Sequence, residues 1–385
     1  MKRFVTCVAG LSLSVLLFTF SPAARAAEAG LDRAGAEAAL DRAWAERLGQ
    51  LKTERAGEME KKVIELGGKA MRWEERVFGE APTNGRSLWI SMHGGGGAPK
   101  AVNDSQWRNQ IGLYKLEEGI YVAPRAPTDT WNLWHEAHID PMFDRLVEDY
   151  VALRGVNPDR VYILGYSAGG DGVWQLAPRM ADRWAAAAMM AGHPNEASLL
   201  PLRNVPFALF VGGNDAAYNR NKIVAERAAK LAELQKQDPG GYEHFARIYP
   251  GLPHWMNRKD AEALPWMARH TRNVWPKKVV WLQDDVTHTR FYWLAVPKAE
   301  AKRKRQIEAV IEGQTIRLSG DVPQGCTLRL SDRLLNLDEP VRVLVTNREV
   351  FNARSPRRVE VIQSSLQERA DPRSGATAEV TLKWE

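Results

Sequence analysis

The sequence predicts an α/β fold, with a mostly parallel sheet covered by helices on both faces and a smaller β-rich unit after it. Apolar runs such as residues 161–164 and 207–211 alternate with amphipathic helical segments such as residues 221–236. Strands that are apolar throughout are buried on both faces, so this alternation is typical of a parallel sheet. After Trp275 only short β-like runs remain, which indicates a small antiparallel β domain.

The N-terminus has the pattern of a signal peptide. Lys2 and Arg3 precede the largely apolar residues 4–20. The small residues Ala24 and Ala26 then occupy the two positions that a signal peptidase reads. We therefore expect residues 1–26 to be removed, which gives a periplasmic or secreted protein with no stable membrane span. A retained membrane anchor is the alternative.

Three further segments follow the signal peptide. Residues 27–70 are expected to form a helical extension, with the helix over 31–66 ended by the glycines that begin at Gly67. Residues 71–276 are expected to form the catalytic α/β domain, and residues 277–385 the β-rich C-terminal domain.

Composition excludes several functional classes. The net charge of +6 falls to +3 once residues 1–26 are removed, so the basic balance does not indicate a nucleic-acid partner. Of the two cysteines, Cys7 lies in the signal peptide and Cys326 has no intramolecular partner, which excludes a disulfide framework and a cysteine metal site.

The strongest motif is Gly-Tyr-Ser-Ala-Gly at residues 165–169. It follows an apolar strand and precedes a helical pattern, which is the context of a nucleophile elbow. The flanking glycines suit a strained turn in which a Cβ atom would clash. Ser167 is therefore the predicted nucleophile.

A base and an orienting acid are expected after the nucleophile, in the order serine, acid, histidine. Asp215 follows the apolar strand 207–211, and His254 follows the next strand along the chain. Both residues lie at the carboxyl ends of strands, which form the edge of an open α/β sheet where ligands bind. We call this the catalytic edge. Asp215 could instead be a turn residue or helix cap, and His193 and His244 are the rival histidines, although His193 precedes the acid.

The expected oxyanion donors are backbone N–H groups. A strand leads into His93, which is followed by four glycines, and this matches the loop that pairs with the N–H after the nucleophile. Gly94, Gly95 and Ala168 are the predicted donors, and His93 is expected to brace the loop.

The remaining candidates concern the substrate and metals. Trp131 and Trp134 follow a strand at the catalytic edge and Trp255 adjoins the base, so all three are expected to bind substrate, with loop packing as the alternative for the first two. His135 and His138 are three residues apart, whereas the zinc motif needs a spacing of four, so no metal site is expected.

These motifs, spread over about residues 85–275, resemble those of the α/β-hydrolase superfamily, most closely the secreted esterases of the polyhydroxybutyrate depolymerase and feruloyl esterase group. The resemblance implies an eight-stranded, mostly parallel sheet, no cofactor, and hydrolysis of carboxylic esters. The chain departs from that group in having too few cysteines for the usual disulfides and in its β-rich C-terminal domain.

The predicted function is therefore a serine esterase that works through an acyl-enzyme on a small-molecule or polymer-linked ester. Two alternatives remain open. One is a serine peptidase of the prolyl oligopeptidase type, and the other is a polysaccharide- or surface-binding protein with a degenerate hydrolase domain. Glycan or surface contact by the C-terminal domain is part of the second alternative.

Overall fold

The computed structural model describes Met1 and residues 30–384. Apart from Met1, the predicted signal peptide and its Cys7 lie outside the described residues. Within the described part of the chain, none of the helices combines the length and the apolar character needed to cross a membrane.

The core is an eight-stranded, mostly parallel sheet, which confirms the predicted fold class. Its strands are β1 (Val63–Leu66), β2 (Lys69–Phe78), β3 (Arg86–Met92), β4 (Gly119–Arg125), β5 (Val156–Tyr166), β6 (Ala186–Met190), β7 (Phe207–Gly212) and β8 (His244–Tyr249). Their order in the sheet is β1-β2-β4-β3-β5-β6-β7-β8. Strands β3 to β8 are parallel, whereas β1 and β2 form an antiparallel hairpin that pairs with β4.

Helices cover both faces of this sheet. Alternate residues of β5 belong to different apolar clusters, since Ile163 packs on one face while Tyr162 and Leu164 pack on the other. The helices are α1 (Arg33–Lys61), α2 (Lys100–Ile111), α3 (Ile139–Arg154), α4 (Ala168–Arg179), α5 (Arg220–Gln237), α6 (Ala263–Met267) and α7 (Val359–Glu368). Helices α3, α4 and α5 contribute to the first cluster, and α2 and α6 to the second.

The N-terminal extension differs from the prediction. Helix α1 ends at Lys61, and Lys62 adopts a left-handed conformation with φ 54°. The predicted helix over 31–66 is therefore wrong for its last turn, because residues 63–66 are strand β1. The two glycines expected to end the helix, at 67 and 68, instead form the turn of the β1–β2 hairpin, both with positive φ.

The C-terminal domain contains two sheets, and it differs from the expected antiparallel domain in two respects. Strand β13 (Thr315–Gly320) pairs in parallel with β15 (Val341–Val345), and helix α7 lies within the domain. One sheet has the order β10-β11-β14-β17 and the other β16-β15-β13-β12-β9. The strands are β9 (Lys278–Leu282), β10 (Arg290–Phe291), β11 (Leu294–Ala295), β12 (Gln306–Glu312), β13 (Thr315–Gly320), β14 (Thr327–Leu330), β15 (Val341–Val345), β16 (Arg348–Ala353) and β17 (Ala378–Thr381).

This domain is packed tightly on the α/β domain along a seam of buried charges and apolar side chains. Asp182 accepts hydrogen bonds from the Arg369 guanidinium on both carboxylate oxygens. Arg272 pairs with Asp371 at 2.8 Å, and both side chains are buried. Trp293 belongs to the same apolar cluster as the core of the α/β domain, so the two units share one hydrophobic core.

Candidate active site

Ser167 lies in the sharp turn between β5 and α4. Its backbone has φ 58° and ψ −120°, a conformation that is costly for a residue with a side chain. A Cβ added to Gly165 would lie 2.2 Å from the carbonyl oxygen of Gly169, and one added to Gly169 would lie 2.1 Å from that of Met92. A side chain at either position would therefore clash, because the backbone of this turn packs closely against itself and against β3.

The structure brings together the three side chains predicted for catalysis. The Oγ atom of Ser167 lies 3.0 Å from Nε2 of His254, and Nδ1 of His254 lies 2.7 Å from Oδ2 of Asp215. The Asp215 side chain is 1% exposed, whereas that of His254 is 42% exposed. This is the geometry of a nucleophile, a base and an acid that orients the base.

Backbone contacts hold the loop after β7, which carries Asp215, against the loop after β8, which carries His254. We call these the acid loop and the histidine loop. A Cβ added to Gly212 would lie 2.1 Å from the carbonyl oxygen of Pro253, so the two loops touch at their backbones. The N–H of Asn214 donates to the carbonyl of Leu252 at 2.9 Å, and its side-chain amide donates to that of Gly251 at 3.2 Å. The separation of acid and base therefore depends on the backbone as well as on their own hydrogen bond.

Arg220 is a neighbour of the acid that sequence reasoning missed. Its Nη1 atom lies 3.7 Å from Oδ1 of Asp215, and its guanidinium packs 4.9 Å from the ring centre of Tyr218. Arg220 therefore places a positive charge close to the Asp215 carboxylate. The only sequence signal for Arg220 is its position five residues after Asp215. Many surface arginines lie as close in sequence to an acidic residue, so this spacing did not indicate a role.

His93 supports the loop of four glycines at residues 94–97, which we call the glycine loop. The imidazole is buried, its Nδ1 donates to the carbonyl of Gly94 at 2.6 Å, and its Nε2 accepts from the N–H of Ala126 at 3.2 Å. Burial lowers the pKa of His93 to about 4, which keeps the ring in the neutral form that these two bonds require. Because C=O and N–H point in opposite directions across a trans peptide, holding the Gly94 carbonyl sets the direction of the Gly95 N–H.

Asn103 of α2 holds the same loop from the other side. Its Oδ1 accepts from the N–H of Gly96 at 2.9 Å, while its Nδ2 donates to the carbonyl of Ala98 and to Oδ1 of Asp129. Gly95 has φ +107°, and a Cβ there would lie 2.1 Å from Asn103 Oδ1. Sequence reasoning did not identify this buried asparagine, because its role depends on contacts outside the helix.

The residues of the three predicted oxyanion donors lie near the nucleophile. A Cβ added to Gly94 would lie 3.2 Å from Cβ of Ser167, so the glycine loop lies directly against the elbow. Gly95 lines the same cavity as Ser167. Ala168 is the first residue of α4, where N–H groups have no partner within the helix.

A cavity of about 670 Å³ opens beside Ser167 and His254. Its walls combine amide side chains and one guanidinium with apolar and aromatic groups. The lining residues are Gly94, Gly95, Gln106, Asn109, Gln110, Gly112, Leu113, Tyr166, Ser167, His254, Trp255 and Arg258.

The three tryptophans predicted to bind substrate have different positions. Trp255 lines the cavity. Trp131 is 64% exposed and packs beside the glycine loop, but it does not line the cavity. The prediction for Trp134 is wrong, because this side chain is fully buried and its Nε1 donates to the carbonyl of His93 at 2.8 Å. Trp134 supports the oxyanion loop from the core instead.

His193 and His138 make their own contacts and are not part of the hydrogen-bonded chain from Ser167 to Asp215. Nδ1 of His193 accepts from the N–H of Asn195 at 3.0 Å. Nδ1 of His138 lies 3.3 Å from Glu136. Within the part of the chain that the structure describes, no three His, Cys, Asp or Glu side chains are grouped so that they could hold a metal ion.

A family model described as the dienelactone hydrolase family matches residues 120–285 of this chain. This segment contains the elbow, the acid loop and the histidine loop. No match was found among the curated proteins compared.

Solved structures of esterases match part of this chain at low identity. A thermostable esterase is 17% identical with a TM-score of 0.40, and the match covers 55% of this chain and 62% of that one. A ferulic acid esterase is 16% identical with a TM-score of 0.35, covering 54% and 96% of the two chains. Thermogutta terrifontis esterase 2 is 16% identical with a TM-score of 0.39, covering 54% and 91%.

The strand order and the family match identify the α/β-hydrolase fold in this chain. The family match also supports an enzyme that hydrolyses carboxylic esters.

Proposed function

We propose that this α/β-hydrolase cleaves carboxylic esters through an acyl-enzyme on Ser167, with His254 as the general base and Asp215 as the orienting acid. One observation carries the proposal, namely the unbroken hydrogen-bonded chain from Ser167 Oγ through the imidazole to the buried carboxylate, with contacts of 3.0 and 2.7 Å. Nδ1 of the imidazole donates to the carboxylate, which leaves Nε2 free to accept the serine proton.

The reaction proceeds in two halves. The Ser167 oxygen attacks the ester carbonyl carbon while His254 takes its proton, and the carbonyl electron pair moves onto the oxygen. When this tetrahedral intermediate collapses, the bond to the alkoxide breaks and His254 returns the proton to the leaving alcohol. Water then attacks the acyl-enzyme by the same route and releases the acid.

Backbone donors stabilise the charge that develops in both halves. The N–H of Ala168 and those of Gly94 or Gly95 are proposed to bind the oxyanion. Loss of one such donor costs on the order of 10²–10³ in kcat. His93 and Asn103 support this step because they hold the glycine loop in one conformation before substrate arrives.

The cavity supports a substrate with both polar and apolar parts. Gln106 and Asn109 present amides from one face of α2, while Leu113 and Trp255 offer apolar surface. A volume of about 670 Å³ suits a small-molecule ester or one unit of a polymer-linked ester.

The exposed aromatic groups are concentrated at the catalytic edge. Among the described residues, the large exposed aromatic side chains are Trp131, Tyr218 and Trp255, all in loops that follow β4, β7 and β8. Trp281 and Trp293 of the C-terminal domain are buried. A polymer that stacks on aromatic rings would therefore contact the hydrolase domain, and glycan contact by the C-terminal domain stays a prediction.

We also propose that residues 1–26 direct export and are removed, so that the enzyme acts in the periplasm or outside the cell. The basic start and the apolar stretch of the sequence support this proposal. The mass of the protein recovered from a secreting host should correspond to a chain that begins at Ala27. A mass that includes all 385 residues would overturn it.

The catalytic proposal is tested by Ser167→Ala and His254→Ala, with His193→Ala as the matched control. We expect the first two variants to lose p-nitrophenyl acetate hydrolysis by at least about 10³-fold, and the control to stay within about threefold of wild type. A fluorophosphonate probe should label the wild type and not the Ser167 variant. Labelling that survives Ser167→Ala, or a larger loss in the His193 variant than in the His254 variant, would overturn the assignment.

Peptide substrates run in parallel separate the esterase from the peptidase. The proposed function expects Ser167-dependent turnover of esters and none of matched peptide amides. Faster cleavage of the amides would favour the peptidase alternative.

A further inference from the structure

The residue before the nucleophile, Tyr166, links the nucleophile strand to the histidine loop. Its hydroxyl donates to the backbone carbonyl of His254 at 2.6 Å and accepts from the backbone N–H of Met256 at 3.0 Å. A phenol has one proton to donate and lone pairs to accept with, so both of its functions are used here. The hydroxyl therefore bridges the backbone on both sides of Trp255.

The Tyr166 ring also packs against the side chains of this loop. It meets the His254 imidazole edge to face with ring centres 5.8 Å apart, and the Trp255 ring lies at 5.6 Å. Tyr166 is 7% exposed and belongs to the apolar cluster on one face of the sheet. Burial raises the pKa of its phenol well above the usual value, so the hydroxyl proton is retained at any working pH.

We propose that Tyr166 is a positioning residue that sets the location of the base relative to the nucleophile. The inference rests on the proposed function, in which Ser167 and His254 react together. Tyr166 precedes Ser167 directly and contacts the His254 backbone, so a single side chain fixes the distance between the two reacting groups. A displacement of about 1 Å in such a pair costs on the order of 10² in rate.

The acid loop does not supply this restraint alone. Asn214 of that loop donates to the carbonyls of Gly251, from its side chain, and of Leu252, from its backbone, and both acceptors precede the histidine. Tyr166 binds the carbonyl of His254 itself and the N–H two residues later. Without the hydroxyl, the histidine loop would keep its anchor on the acid side and lose the one on the nucleophile side.

The same strand provides a matched control. Tyr162 lies four residues earlier in β5, is fully buried, and donates its hydroxyl to the backbone carbonyl of His270 at 2.8 Å. Tyr162→Phe and Tyr166→Phe each remove one phenol oxygen and one bond to a histidine carbonyl. Only the second removes a bond to the proposed base, and it also removes the bond from the Met256 N–H on the same loop.

The experiment measures kcat and KM for p-nitrophenyl acetate, the rate of fluorophosphonate labelling, and the melting temperature for the wild type and both variants. We expect Tyr166→Phe to lower kcat and the labelling rate together by about 10–100-fold with KM within about threefold, because phenylalanine keeps the aromatic ring that lines the cavity and removes only the hydroxyl. Tyr162→Phe should keep kcat within about twofold while losing comparable stability.

The outcomes separate the two proposals. If wild type shows no Ser167-dependent turnover, the proposed function fails. If wild type is active and Tyr166→Phe matches Tyr162→Phe in kcat, the positioning role is overturned and Tyr166 is only a packing residue. The labelling rate is measured on the folded fraction, so a destabilised variant still gives a decisive value.

Discussion

The catalytic edge of the sheet and the seam with the C-terminal domain are built from different interactions. At the edge, backbone meets backbone, as where Gly169 touches the Met92 carbonyl and Gly212 touches that of Pro253. At the seam, buried charged side chains meet, as in the pair of Asp182 with Arg369. The edge therefore controls the positions of reacting atoms, whereas the seam controls whether the two units stay joined.

The energetics differ in the same way. A Cβ introduced at the edge has no room, so a small change moves a reacting group and mainly affects rate. At the seam, the Arg369 guanidinium holds the pKa of Asp182 well below its usual range despite burial. Removing one partner of a buried pair leaves the other charge uncompensated, which mainly affects stability.

The largest expected effect is at the edge. Asp215→Asn should lower kcat for p-nitrophenyl acetate by about 10⁴-fold, because the amide favours the wrong tautomer of His254 and cannot stabilise its charged form. Denaturant unfolding should show little change, since the substitution is isosteric. A loss below about tenfold would remove Asp215 from the proposed triad.

The next effect is at the seam. Asp182→Asn should lower the free energy of unfolding by about 3–5 kcal/mol, because the buried Arg369 loses the carboxylate that binds it closely and keeps only the longer contact with Asp144, at 3.7 Å. The kcat of the folded fraction should not change. Glu312→Gln, which breaks an exposed pair with Arg317, is the control and should cost less than about 1 kcal/mol. Equal unfolding energies in the two variants would contradict this view of the seam.

A glycine substitution sharpens the comparison further. Gly95→Ala should reduce kcat on the order of 10²-fold, because the added Cβ would collide with Asn103 Oδ1 and the left-handed backbone disfavours alanine. Gly57→Ala in α1, where nothing lies within 4 Å of the new Cβ, should leave kcat unchanged and stabilise the protein by about 0.5–1 kcal/mol. Steady-state kinetics and thermal unfolding of both variants check the pair.

The smallest effect concerns pH. Asp140, which also pairs with Arg179, lies 2.8 Å from Nε2 of His288 and raises the pKa of this histidine in the folded protein. The stabilisation from this bond is complete below the unfolded pKa of about 6.5 and is lost as pH rises through the folded value. The stability difference between wild type and His288→Gln should therefore be larger at acidic than at alkaline pH, by roughly 1 kcal/mol or less. Denaturant unfolding across this range measures it, and a difference that grows with pH would contradict the assignment.

Local signals were sufficient for the parallel strands β3 to β8 and for the loops at the catalytic edge, but not for β1, which was predicted as the end of a helix. The order of the apolar runs predicted the parallel sheet, and the elbow at Ser167 was recognisable because its glycines and its strand–helix context are adjacent in sequence. Asp215 and His254 could be proposed because each directly follows a strand, and parallel strands end at one edge.

Residues whose roles depend on distant contacts were not predictable in this way. Tyr166, Asn103 and Arg220 look like ordinary side chains until the fold brings a loop carbonyl, a glycine N–H or a carboxylate beside them. Trp134 was misassigned for the same reason, since a tryptophan in a loop can face either the solvent or the core. The parallel pairing of β13 with β15 is likewise a choice between edges that periodicity does not specify.

The amino-acid sequence by itself determined the approximate positions of the parallel strands β3 to β8 and which three side chains follow them, because propensity, periodicity and glycine placement act over a few residues. Only the tertiary structure decided which groups hold those side chains in place and how the C-terminal domain is attached. Hydrogen bonds join residues up to 326 positions apart, as Leu31 and Arg357 are, and the buried ion pair of Asp182 with Arg369 spans 187 positions. Their partners are selected by packing in three dimensions, which no local pattern encodes.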